Sequence, residues 1–252
     1  MLLLGDSGAG KTGSLASLAK AGYTLYILDV DNGLDVLANL LSGDSEALGR
    51  VNYITVTDKM KSVGGRPVPV KATVWTRAIN LLTDWKEEGA ASTGAGINSW
   101  GPKDILVVDS LTFLSNAALN HILALNGRLG QQPHQSDWYH AQGLVEGLLQ
   151  QLYDEGVKCN IIIMAHITYI GEDHNLRGYP NTVGKALSPK VGRYFNSMLM
   201  VRSQGQGTAL KRKIITNVSG GIDLKNTAPT KVLPEYPLET GLADYFKAVR
   251  SA

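Results

Sequence analysis

Lys11 and Thr12 close the pattern Gly5-Asp6-Ser7-Gly8-Ala9-Gly10-Lys11-Thr12, which reads G-x-x-x-x-G-K-[ST]. This spacing has a chemical reason. Glycines let the backbone curl until successive N–H groups converge on one polyphosphate. A lysine directly after the curl reaches the β/γ-phosphates, and the next hydroxyl can ligate Mg²⁺. The nucleotide-binding set is therefore Gly5, Asp6, Ser7, Gly8, Ala9, Gly10, Lys11, Thr12 and Gly13, with ATP and Mg²⁺ as the expected ligands.

A second pattern, Ile105-Leu106-Val107-Val108-Asp109-Ser110, is an apolar run ending in an acid. With a phosphate loop in the chain, Asp109 is the expected partner of Thr12 at the metal. Ser110 stands where many ATPases place a glutamate to polarise water, so a base has to come from elsewhere. Asp29 and Asp31 end the apolar run 24–31, and Asp31 is the candidate that orients and deprotonates water. His166 ends the run 159–166 and is the candidate that touches a γ-phosphate on one side and a loop on the other. His121, His134, His140 and His174 show no metal-ligand spacing and read as surface or core residues.

The elements that must position these groups follow from the periodicity. The apolar runs 2–4, 24–31, 105–109 and 159–166 suit buried parallel strands. Val51 to Thr57 reads as another strand by its β-branched content. Helices are expected over 11–21, 34–41, 72–88, 111–125 and 137–155. In the last of these Trp138, Ala141, Val145, Leu148 and Leu152 should point inward. Residues 59–71, 126–136 and 168–190 read as loops, the last long and polar. Residues 196–203 and 209–217 are expected strands of an antiparallel extension, followed by a helix over 238–250.

The chain has 252 residues, 44% of them apolar and 18% charged, with a formal net charge of +2, which places it among ordinary soluble globules. That charge neither demands nor excludes a polyanionic partner. The single Cys159 excludes an internal disulfide framework and suits a reducing cytoplasm. No apolar run approaches a membrane span, and no charged start or cleavage site marks a signal peptide. The first strand begins at the second residue, so a single domain over 1–252 with no N-terminal partner domain is expected.

These motifs in this order resemble the RecA/RadA recombinase core, and more closely the short phage-type RecA-like ATPases associated with single-strand annealing. Residues 26–35 look like that family's strand ending in the catalytic acid, with Asp31 where glutamate is usual. Residues 161–166 look like the strand ending in the polar sensor, with His166 where glutamine is usual. Gly184-Lys185-Ala186-Leu187 is similar to the stretch that leaves the second DNA-contacting loop. The resemblance implies an α/β fold: a RecA-like phosphate-loop core, a mostly parallel sheet flanked by helices, with an antiparallel C-terminal extension. It implies ATP hydrolysis, slowed by aspartate in place of glutamate. It also implies self-association into a ring or filament in the host cytoplasm of a phage, with single-stranded DNA and a single-strand-binding protein as partners. DNA contacts would come from Tyr169, Arg177, Tyr179, Lys185 and Lys190, with Arg128 on the other loop. Strand alternation puts Lys211 and Lys213 on one face, from which a neighbouring subunit's γ-phosphate could be reached. A helicase-like or DNA-packaging motor and a nucleotide-gated assembly protein without turnover remain alternatives.

Overall fold

A computed structural model describes residues 1–251 apart from Glu88, Thr93, Asp173, His174 and Gln206, and all but the side chain of Thr208 among them. His174, read above as a surface or core residue, lies outside the described residues. β1 (Leu2–Leu4) is three fully buried leucines, and the glycine loop leads from it into α1 (Lys11–Ser14) and α2 (Ala16–Lys20). The expected helix 11–21 is thus divided at Leu15. There the hydroxyls of Ser14 and Ser17 donate to the carbonyls of Lys11 and Ser14 and compete with the backbone ladder. β2 (Thr24–Asp29), α3 (Asp35–Leu41), α4 (Ser45–Leu48) and β3 (Val51–Thr55) follow. β2 stops before Asp31 because Asn32, at a φ of 58°, turns the chain.

Residues 59–71, expected as a loop, instead form an antiparallel hairpin of β4 (Met60–Val63) and β5 (Arg66–Pro69). Gly64 and Gly65, with φ of 56° and 77°, make the turn whose twist matches its strands. α5 (Val74–Thr83) is shorter than the expected 72–88. Beyond its end Trp85 packs edge-on against Tyr26 and Trp100 at 5.6 Å. β6 (Asp104–Asp109), α6 (Leu111–Leu125), α7 (Gln135–Gln151) and β7 (Asn160–Ala165) come next. Trp138, expected inward, is 36% exposed, and Leu149 is buried on α7 in addition to Ala141, Val145 and Leu148.

The long loop expected over 168–190 also carries structure: β8 (Ile167–Ile170) and β9 (Arg177–Pro180) form a second hairpin, with α8 (Ser188–Val191) after it. β10 (Met198–Gln204), β11 (Lys211–Ile215), β12 (Glu235–Pro237) and α9 (Gly241–Arg250) complete the described elements. The eight-stranded sheet runs β12-β11-β10-β1-β7-β6-β2-β3. β3 to β10 along that order are parallel, and β11 and β12 add the expected antiparallel extension. Alternation along the strands divides the core. Leu2, Leu4, Leu106 and Val108 pack with α5, α6 and α7 on one face. Leu3, Ile105, Val107 and Ile162 pack with α2, α3 and α9 on the other. All parallel strands therefore end on one edge, and that edge gathers the polar residues.

The turn between α6 and α7 is held by Asp137, whose carboxylate is fully buried. It accepts bonds from the Arg128 guanidinium, from Asn126 at 2.9 Å and from the His134 backbone N–H at 2.8 Å. The Arg128 bonds lead in lowering its pKa from 3.8 to about 2. A depressed carboxylate stabilises the fold above its unfolded pKa and loses that contribution as pH falls through the folded value. Wild-type protein should therefore lose urea resistance between about pH 4 and about pH 2. Asp137→Asn should be less stable at neutral pH and flatter over that interval. An equally steep acid decline in the variant would refute this role for the carboxylate.

Candidate functional site

The glycine loop leaves β1 at the sheet edge, and the Gly5 N–H donates to the Ala165 carbonyl at the end of β7 (3.2 Å). Two of its glycines need their freedom. Gly8 and Gly10 have φ of 73° and 107°, and a Cβ on Gly10 would stand 2.9 Å from Arg212 Cδ. Lys11 is only 7% exposed, and its ammonium donates to the carbonyls of Gly5 (2.9 Å) and Asp6 (3.1 Å). Burial lowers its pKa, while Asp109, Asp31 and Asp6 pull it back up. A buried cation satisfied only by carbonyl oxygens is poised to exchange them for phosphate oxygens.

Thr12 and Asp109, ninety-seven positions apart in sequence, meet directly: Thr12 Oγ1 donates to Asp109 Oδ2 at 2.6 Å. Asp109 is 1% exposed, and burial raises its pKa against the Thr12 hydrogen bond and the Lys11 charge. The other two acids divide their work. Asp29 Oδ1 accepts the N–H groups of Asn32 (2.9 Å) and Gly33 (3.4 Å), and its Oδ2 accepts the Thr55 hydroxyl (2.8 Å). Asp29 thus builds the turn that carries Asp31 into the cavity. Burial, then the charges of Asp109 and Asp29, push Asp31 up to about 6, and Lys11 opposes them.

His166 is half-buried at the end of β7, with its ring edge-on to Phe113 at 5.9 Å. Burial and then Lys11 lower its pKa, so the ring is neutral at pH 7. Its backbone N–H donates to Thr112 Oγ1 (3.1 Å), Thr112 donates to the Asn181 carbonyl (2.8 Å), and the Asn181 N–H returns to the His166 carbonyl (2.7 Å). Three residues thus couple the site to the segment after β9.

A cavity of about 690 Å³ joins these groups, lined by the loop, Asp31, Asp109 and His166 and walled by Val36 and Leu40. Arg212 enters it as well. Of the triplet on β11, Lys213 pairs with Glu235, Lys211 stays exposed on the same face, and Arg212 leans over Gly10. Among the described residues Arg212 has no ion pair or side-chain hydrogen bond. Sequence reasoning named its two neighbours and passed it over. The alternation that put Lys211 and Lys213 on one face puts Arg212 with buried Ile214 on the other, toward the phosphate loop of its own chain.

The residues expected to meet DNA are less unified. Tyr169 (53% exposed) and Tyr179 lie on opposite faces of the β8–β9 hairpin, since Tyr169 pairs with Gly178 and Tyr179 with Thr168. Arg177 shares the Tyr179 face and pairs with Asp223 at 3.1 Å. Lys185 and Lys190 are exposed. Arg128 is occupied by Asp137.

The donors suit a magnesium–triphosphate. Gly8 has nothing within 4 Å of where a side chain would start, so the cradle is open. A hydroxyl and a carboxylate converge on one point, and the buried Ser110 Oγ beside Asp109 has no partner among the described residues. The phosphate loop on β1 and Asp109 on β6, with β7 between them, lie in a mostly parallel α/β sheet flanked by helices. No protein-family model matches the sequence, and no curated protein matches it. Among solved structures, the chain is similar to a KaiC-like protein of Pyrococcus horikoshii, with 13% identity, a TM-score of 0.45, and 94% and 82% of the two chains covered. It is similar to the flagellar accessory protein FlaH of Methanocaldococcus jannaschii, with 11% identity, a TM-score of 0.44, and 95% and 86% covered. A third likeness is to an ATPase from the type III secretion system of pathogenic bacteria, at 14% identity and a TM-score of 0.43. It covers 79% of this chain but 51% of that one, about half its length. Identities this low leave chemistry to the residues of the site itself.

The raised Asp31 pKa has a measurable sign. A carboxyl whose folded pKa lies above its unfolded value contributes stability at low pH that is lost as pH rises through the folded pKa, here about 6. Asp31→Asn should therefore stabilise the metal-free protein at pH 8 by roughly 1 kcal/mol, after discounting for solvent. The gain should vanish below about pH 4, where both states are protonated. Thermal melts in EDTA across that range would show it, and equal midpoints at pH 8 would dismiss the cost of burying this carboxylate among other acids.

Proposed function

We propose that this chain binds ATP with Mg²⁺, hydrolyses it slowly, and uses nucleotide state to govern its hold on single-stranded DNA during phage recombination or annealing. One observation carries the nucleotide reading: the Thr12 hydroxyl and the Asp109 carboxylate meet at 2.6 Å beside the buried Lys11 ammonium. Thr12 and Asp109 would hold the Mg²⁺, which when bound neutralises charge on the β- and γ-phosphate oxygens. The loop amides and Lys11 bind the phosphates and fix their orientation. Asp31 accepts a proton from water, and at about 6 its pKa leaves it mostly ionised at neutral pH yet basic enough for that task. His166 stays neutral and passes its position through Thr112 to Asn181, which supports a link between nucleotide state and the segment 181–190.

DNA binding rests on exposed Lys185, Lys190 and Tyr169 in and around that segment, with Arg177 available once it leaves Asp223. Self-association into a ring or filament would let Lys211 approach a neighbour's phosphates. A second reading, a nucleotide-gated assembly protein without turnover, is favoured by Ser110 in place of a glutamate and by the shorter reach of Asp31.

ATPase turnover with and without single-stranded DNA separates these readings. Lys11→Ala should abolish nucleotide binding and lower turnover by ~10²–10³-fold. DNA-stimulated turnover in wild type supports the first reading, and binding without turnover the second. Undiminished turnover in Lys11→Ala would overturn both. Neutralising Arg177 and Lys185 should weaken DNA binding while sparing nucleotide affinity.

A further inference from the structure

The hairpin over residues 59–71 is one of the stretches of this chain that carry cations and no acid. Residues 59–71 carry Lys59, Lys61, Arg66 and Lys71 and no acid, and the rest of the chain holds twenty cations against twenty-two acids. Without this segment the formal charge changes sign from +2 to −2. All four side chains are exposed, and among the described residues none has an ion pair or side-chain hydrogen bond. The nearest acid in sequence, Asp58, is occupied: its Oδ1 accepts both the Thr73 N–H (2.9 Å) and the Thr73 hydroxyl (2.7 Å).

Local structure orders these charges. The strands pair Lys61 with Val68 and Val63 with Arg66, so these four side chains share one face. Val68, the buried member, seats on the loop between α6 and α7: a Cβ on Gly130 would lie 3.1 Å from Val68 Cγ1. The hairpin is thus braced, and Lys61 and Arg66 stand on the side that meets this loop. The Val70 N–H donates to the Lys59 carbonyl (2.7 Å), which closes its base and fixes Lys59 and Lys71 at its root. The apolar groups beside the cations, Met60, Val63 and Val70, are 55%, 44% and 56% exposed, and none is aromatic.

We infer that the β4–β5 hairpin is a phosphate-backbone contact surface for single-stranded DNA, a site separate from the segment after β9. Four unpaired cations with no acid among them complement a polyanion. The absence of aromatic rings fits contact with phosphates and not stacking of bases. The hairpin follows the C-terminal end of β3, on the sheet edge that also carries the phosphate loop. Its bracing leaves its charged face against another loop, a setting for one strand laid alongside and not for a free ribbon entering a duplex groove. This inference rests on the single-strand reading above and locates where the backbone is held.

The test replaces Lys59, Lys61, Arg66 and Lys71 together with glutamine and measures binding of a labelled oligothymidylate by anisotropy across a sodium chloride series. Each lost phosphate contact lowers the slope of log K against log salt by about 0.7 for a single strand, so four should lower it by about 3. Affinity at about 0.1 M salt should fall roughly tenfold or more. The charge-preserving Lys61→Arg/Arg66→Lys variant should keep wild-type slope and affinity. Unchanged ATP binding in both variants would show that the site at Lys11 is intact. An unaltered slope in the glutamine variant overturns the hairpin assignment, and if Arg177/Lys185 neutralisation still weakens binding, the broader single-strand reading survives. Loss with the hairpin variant alone supports the hairpin against the later segment. Wild-type protein that binds only duplex, or no DNA at any salt, overturns the inference and the single-strand reading together.

Discussion

A hydroxyl and a carboxylate brought together across ninety-seven positions of sequence are the contact on which the site depends. Neither strand could place them alone. Thr12 is aimed by a loop that leaves β1, and Asp109 ends β6, with β7 lying between. The separation is bridged by backbone: the Gly5 N–H is tied to the Ala165 carbonyl on β7, and β7 pairs in parallel with β6. The sheet edge is therefore a rigid ruler, and the loop's curl supplies the remaining reach. Because β1, β7, β6 and β2 are buried on both faces, that ruler is stiffened by the whole core.

The same convergence concentrates charge. Asp109, Asp31 and Asp6 act on one buried ammonium, and burial, with neighbouring acids adding to it, raises the pKa of Asp31 and Asp109. Two N–H groups and a hydroxyl occupy the Asp29 carboxylate, which builds the turn. Such crowding disfavours the ligand-free fold and favours whatever cation the site receives. His166 stands just outside this cluster, neutral, tied to the segment after β9 by backbone and the Thr112 hydroxyl and not by charge. Buried acids at one end and a hydrogen-bonded relay at the other thus share one sheet edge.

Around that centre, polarity is handled by short hairpins. β4–β5 and β8–β9 occupy stretches whose glycines, prolines and polar residues carry no strong periodic signal. Their strands pair locally and are only partly buried, so neither needs the apolar run that marks a buried strand. This is why both read as loops from sequence. Period-two alternation also divides side chains that composition groups together: Tyr169 from Tyr179, and Arg212 from the lysines on either side.

The phosphate loop, the strand ending in Asp109, the parallel core and its antiparallel extension were all legible in sequence. Each is written in local patterns: glycine spacing, continuous apolar runs and β-branched content. The position of His166 at the sheet edge was legible for the same reason, since it ends such a run. Tertiary structure alone decided which acid builds the turn and which faces the cavity, that Arg128 is occupied by a buried carboxylate, and that Arg212 reaches the loop of its own chain. It also decided that Trp138 sits at the surface. These depend on what stands opposite a residue across the sheet or helix pair, a neighbour distant in sequence that no local periodicity encodes.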